Sequence, residues 1–231
     1  MNTELKPLLE RIQKLRETNP KTDAEIAEWT WQNETLPKLR GVELPPRFHQ
    51  RFTRWNPKQK KAYDLCRSKL TGTGAIVALI GPRGTGKSSI VAQIIIDRAE
   101  ASRERPQGFP APYTKMTDLI NRFKPIYADF GSVAAERVTH QRDQFCGYSL
   151  RVIDELGECD EQRMKERVLV DILDRCYSGL TDTIIISNQT VEEFYGTTNS
   201  SILSRIAEHG EVIPCVWESF RSPEHKNNQG E

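Results

Sequence analysis

Ala75-Ile-Val-Ala-Leu-Ile80, Gly81-Pro82-Arg83-Gly84-Thr85-Gly86-Lys87-Ser88-Ser89 and Ile90-Val-Ala-Gln-Ile-Ile-Ile96 follow one another without a break. The first run is uncharged and β-branched and reads as a buried strand. The last is apolar and reads as a largely buried helix. Between them every fixed position of G-x-x-x-x-G-K-[ST] is filled, so this is a P-loop in the strand-to-helix setting that the motif requires. A Gly-rich turn that binds nothing would not need all four fixed positions and both flanks. Gly81, Gly84 and Gly86 let the backbone curl and bring its N–H groups up to phosphate oxygens. The start of the following helix adds unpaired donors and the positive end of its dipole. Pro82, Arg83, Thr85 and Ser89 complete the loop. Lys87 is expected to reach the β- and γ-phosphates, and the Ser88 hydroxyl to ligate Mg²⁺. The stretch implies a nucleoside triphosphate site.

A chain of 231 residues is long enough for about one domain plus an extension. Its 33 basic and 32 acidic residues nearly cancel, so any affinity for nucleic acid must come from a local patch. Cys66, Cys146, Cys159, Cys176 and Cys215 are scattered, with no C-x-x-C and no His at ligand spacing. That argues against a structural zinc site and for reduced thiols inside the cell. The first residues lack the apolar core of a signal peptide, and no apolar run approaches membrane-spanning length. A cytoplasmic protein with no membrane partner is expected.

Four segments are expected: a helical extension over 1–40, a linker over 41–61, the main α/β domain over 62–221 and a polar tail over 222–231. In the extension, Leu5, Leu8, Leu9, Ile12 and Leu15 share one helical face. A second helix is expected from Asp23 towards Leu36, bracketed by Pro20 and Pro37. These helices either pack on the main domain or present a face to a partner. From Leu44 on, the linker carries Arg47, Arg51, Arg54, Lys58, Lys60 and Lys61 with no acidic residue among them, interleaved with Phe48, Phe52 and Trp55. Positive charge among aromatic planes suits single-stranded nucleic acid, while aromatic residues ahead of a domain also dock on its core.

Ser149-Leu-Arg-Val-Ile-Asp154-Glu155 is an apolar strand ending in two carboxylates. Asp154 is placed to hold Mg²⁺, and Glu155 to polarise the water that attacks the γ-phosphate. Alone, the pair also reads as a helix N-cap with an acidic first turn; downstream of a P-loop it reads as the second nucleotide motif. Thr183-Ile-Ile-Ile-Ser-Asn188 is a third buried strand, tipped by an amide that can contact the γ-phosphate or orient the water. Glu161–Ser178 and Ser201–Glu208 read as helices, the second carrying Arg205, and Val212–Trp217 as the last strand.

In order, the P-loop, Val152-Ile-Asp-Glu-Leu-Gly157, Ile186-Ser-Asn-Gln189, Ser204-Arg-Ile206 and Trp217-Glu-Ser-Phe-Arg221 together resemble the AAA+ ATPases of the DnaC type, the bacterial helicase loaders, and their IstB-like transposition relatives. The likeness covers about residues 44–221. It implies a five-stranded parallel sheet flanked by helices, with the Asn188 strand between the P-loop strand and the Asp154 strand. ATP and Mg²⁺ are then the implied ligands, and Lys87, Ser88, Asp154, Glu155 and Asn188 fall on the family's Walker A, Walker B and sensor-1 positions. Arg205 matches its arginine finger, which acts on ATP held by a neighbouring subunit and so implies self-association. Lys115, Arg122 and Lys124 lie where the family lines a path for single-stranded DNA. The chain stops soon after Arg221, which implies no helical lid, and its extension is too short for the zinc module of some loaders.

The resemblance implies an ATP-dependent loader that grips a hexameric replicative helicase through residues 1–40. The alternative within the fold is a transposition helper acting with a transposase on duplex DNA. A small-molecule P-loop kinase would need an acceptor site and usually an arginine-bearing lid, and neither is seen. A non-hydrolysing ATP switch is opposed by Glu155.

Overall fold

The computed structural model describes residues 23–52, 55–102, 111–128, 133–157 and 162–219. The helix expected at residues 3–18, Arg54, Cys159, Phe220, Arg221 and the tail lie outside these residues. In chain order, α1 (Asp23–Thr30) runs through a π turn (Trp31–Thr35) into α2 (Leu36–Gly41), followed by a 3₁₀ turn (Pro46–Phe48). Then come α3 (Pro57–Lys69), β1 (Ile76–Ile80), α4 (Lys87–Ala101), β2 (Tyr113–Lys115), α5 (Met116–Ala128) and α6 (Val133–Cys146). β3 (Leu150–Asp154), α7 (Gln162–Ser178), β4 (Asp182–Ser187), α8 (Val191–Thr197), α9 (Ser200–His209) and β5 (Glu211–Pro214) complete the order.

Pro37 does not stop the helix as expected. It sits in the first turn of α2, where its missing N–H costs no hydrogen bond, because the wide π turn ahead of it resets the ladder. Pro57 likewise opens α3, after an Asn56 whose side chain accepts from the Gln59 N–H at 2.7 Å. The last residues of the expected linker, Lys58, Lys60 and Lys61, are therefore helical.

All five strands are parallel, in the order β2-β3-β4-β1-β5, with β4 between the P-loop strand and the Asp154 strand. β1, β3 and β4 are buried along their whole length, the reason they read as continuous runs and not alternating ones. Successive side chains of β1 enter opposite cores: Val77 and Leu79 join α3 and α4, while Ile76, Ala78 and Ile80 join α5, α7 and α9. Arg151 of β3 is fully buried, and its guanidinium donates to the carbonyls of Cys146, Tyr148 and Thr181 and to the Thr183 hydroxyl. Among the described residues no helix is long and apolar enough to cross a membrane.

Candidate nucleotide-binding site

A parallel sheet delivers the C-terminal ends of its strands to one edge. Here β1, β4 and β3 lie side by side, so the P-loop, Asn188 and the Asp154–Glu155 pair meet around one cavity of about 450 Å³. Lys87, Ser88, Asp154, Glu155 and Asn188, which the sequence pattern singles out separately, all line it.

The P-loop closes tightly on the rest of the domain. Gly81 has φ 151°, and a Cβ there would lie 2.5 Å from the Cys215 carbonyl oxygen, so only glycine lets the chain after β5 pack against it. Gly86, at φ 86°, opens α4 in the left-handed region. Lys87 is buried, and its ammonium donates to the carbonyls of Gly81 and Pro82 at 2.6 and 2.8 Å. The charge is thereby held against the wall of the cavity.

The outward side of the loop is braced by two groups that sequence reasoning does not identify. The buried Thr85 presents its carbonyl to the Trp217 indole N–H at 2.7 Å and to the Gln59 amide at 3.3 Å. Trp217 belongs to the terminal motif used above only as a family signature. Its contact satisfies the Thr85 carbonyl and ties the P-loop to the chain after β5. Trp217→Phe keeps an aromatic ring, though a smaller one, and removes the donor; it is expected to weaken nucleotide binding about tenfold, equivalent to about 1.4 kcal/mol, through a loosened loop. Calorimetric titration would measure this; an unchanged affinity would remove Trp217 from the site.

On the facing strand Asp154 is buried, with both oxygens engaged. Oδ1 accepts from the Glu155 N–H at 2.7 Å, while Oδ2 accepts from the Ser88 hydroxyl at 3.3 Å and from the Tyr113 hydroxyl. Burial pushes the Asp154 pKa up, and the hydrogen bonds from Tyr113, the Glu155 N–H and Ser88 oppose that rise. A buried carboxylate beside a serine hydroxyl, at the mouth of a P-loop, is the hard-oxygen set that suits Mg²⁺. The loop and Lys87 provide the matching anion cradle, so the residues present fit a magnesium-bound triphosphate. Tyr113 is a further residue missed from sequence, because only the β2–β3 register places it there.

Glu155 follows at φ 60°, a left-handed conformation that costs a non-glycine residue roughly 1–2 kcal/mol. Its Oε2 meets Lys115 Nζ at 2.9 Å, and this hydrogen bond raises the Lys115 pKa. Lys115, expected on a nucleic-acid path, is thus in contact with the carboxylate expected to activate water.

The other nucleic-acid candidates are dispersed. Arg51 pairs with Glu100 at 2.6 Å and lies over the Trp31 ring. Arg122 lies 3.8 Å from Glu43, and Lys124 is half-buried on α5. Phe48 and Trp55 pack against the core. Arg47, Phe48 and Phe52 line the nucleotide cavity itself. Arg205 is not among the residues lining that cavity: it contacts Asp174 at 3.0 Å and the Ser201 carbonyl at 3.0 Å, with its guanidinium 5.4 Å from the Tyr177 ring centre.

The family model described as IstB-like ATP binding protein matches residues 33–228. The solved structure of the DnaC helicase loader is similar at 19% identity and a TM-score of 0.55, over 71% of this chain and 93% of that one. DnaI is similar at 15% identity and 0.57, over 75% and 95%. The replication initiator DnaA bound to AMPPCP and single-stranded DNA is similar at 16% identity and 0.57, over 76% and 52%, so this chain spans about half of it. At such identities the likeness is one of fold. Among curated proteins no significant match is found.

Proposed function

The chain belongs to the IstB-like ATP-binding protein family, and on that premise we propose that it is an AAA+ ATPase that loads a hexameric replicative helicase onto single-stranded DNA. The observation that carries the ATPase reading is the convergence of Lys87, Ser88, Asp154, Glu155 and Asn188 on one cavity. Ser88 and Asp154 would hold Mg²⁺, which supplies charge neutralisation at the β- and γ-phosphates. Lys87 and the P-loop N–H groups bind and orient the triphosphate tail. Glu155 takes the proton of the attacking water, and Asn188 orients that water or the γ-phosphate.

Arg205 acts in trans in this proposal. It is absent from its own cavity and held on the α7 side of its own subunit by Asp174. Self-association would bring it to the next subunit's γ-phosphate, where a guanidinium offsets developing charge. Arg205→Ala is expected to bind ATP like wild type and to lose at least ~100-fold of hydrolysis stimulated by DNA and partner. Stimulated turnover equal to wild type would remove it from catalysis.

The fold likeness to the DnaC helicase loader over nearly all of that chain supports a loader, with residues 1–40 gripping the helicase. The family match favours a second reading, a transposition helper that acts on duplex DNA with a transposase. The deciding experiment measures ATP-dependent binding of a labelled single strand and of a duplex of equal length, across a salt series. Preference for the single strand supports the loader; preference for duplex supports the helper.

A further inference from the structure

Arg47 stands on the 3₁₀ turn Pro46–Phe48, ahead of the ATPase core, yet lines the same cavity as Lys87, Ser88, Asp154 and Glu155. The turn is fixed on both sides. Before it, the Val42 carbonyl accepts from the Tyr113 N–H at 2.9 Å, tying the segment to the edge of β2. After it, the Phe52 N–H donates to Gln93 of α4 at 2.8 Å. Within it, Phe48 packs against the core, and the Arg47 guanidinium stacks 4.7 Å from the Phe48 ring centre.

Arg47 shares the wall of this cavity with Lys87, Ser88 and Asp154. Arg51, four residues on, is taken by Glu100, whereas Arg47 makes no ion pair among the described residues. A stacked guanidinium facing a P-loop, with no carboxylate of its own, is built for an oxygen-rich anion. We propose that Arg47 binds the terminal phosphates of the nucleotide in cis, from the segment that precedes the core. The basic linker then serves the nucleotide at this position and not nucleic acid.

The proposal rests on the nucleotide site described above, and the test keeps the two separable. Full-length wild type, Arg47→Ala, Arg47→Lys and Lys87→Ala are titrated calorimetrically with a non-hydrolysable ATP analogue and with ADP, both with Mg²⁺. Arg47→Ala is expected to weaken the triphosphate analogue about 30-fold and ADP by less than about threefold, because one charged hydrogen-bonding partner of the last phosphate is gone. Arg47→Lys, which keeps the charge without the fork, should fall between. Equal losses for both ligands, or none for either, would overturn the proposal. Retained affinity in Lys87→Ala would instead overturn the nucleotide site as a whole.

Discussion

Glu155→Gln is expected to bind ATP as tightly as wild type while hydrolysing it at least ~100-fold more slowly. The substitution is nearly isosteric, and the amide oxygen can still accept from Lys115, so the position of the side chain is kept. What it removes is the ability to take a proton, and a positioned general base contributes about 10²–10⁴ in rate. The backbone at this residue, at φ 60°, is unchanged by the swap. Single-turnover phosphate release, beside an equilibrium titration of the same sample, separates the two effects. Full turnover in the variant would mean that water is activated by another group.

Lys87→Ala is expected to lose at least ~100-fold in nucleotide affinity, about 3 kcal/mol. The ammonium is buried and makes two short bonds to the Gly81 and Pro82 carbonyls. Its removal deletes the cation that meets the phosphates and also leaves those two carbonyls short of a donor. The variant should therefore lose stability as well, by about 1–3 kcal/mol even without nucleotide. Thermal unfolding of the nucleotide-free variant measures the second effect, and titration at a temperature well below that transition measures the first. A variant with wild-type affinity would overturn the nucleotide site.

The frame of the candidate site was legible because its strands are buried on both faces. Runs such as Ile76–Ile80 and Leu150–Asp154 carry their burial in their composition, and each is followed at once by its functional group. Two helices, α3 and α8, were readable but unread. Asn56 with Gln59 and Thr190 with Glu193 are capping boxes in plain sequence. At α3 the basic residues Lys58, Lys60 and Lys61 masked a buried face formed by Ala62, Tyr63 and Cys66. The placements that escaped sequence reasoning are long-range. Trp217 meets Thr85 across 132 residues, and Tyr113 meets Asp154 across 41. Arg47 was visible as charge, but its position depends on tethers to β2 and α4 that no local pattern encodes.

The sheet order also governs how the chain is built. Among the described residues β1 pairs with β4 and β5 alone, Ile76 with Thr183 and Val77 with Glu211. Both partners are synthesised more than a hundred residues later, and the buried Asp182 carboxylate, which accepts from the Gly72 and Ala75 N–H groups, arrives with them. During translation the P-loop strand therefore waits as an apolar segment with two open edges. Its loop gains two of its anchors when the Cys215 N–H reaches the Ile80 carbonyl and Trp217 reaches Thr85. Closure of such non-local pairs is the slow kind of folding step. Two anchors of the nucleotide pocket thus come from residues synthesised more than 130 residues after the loop they hold.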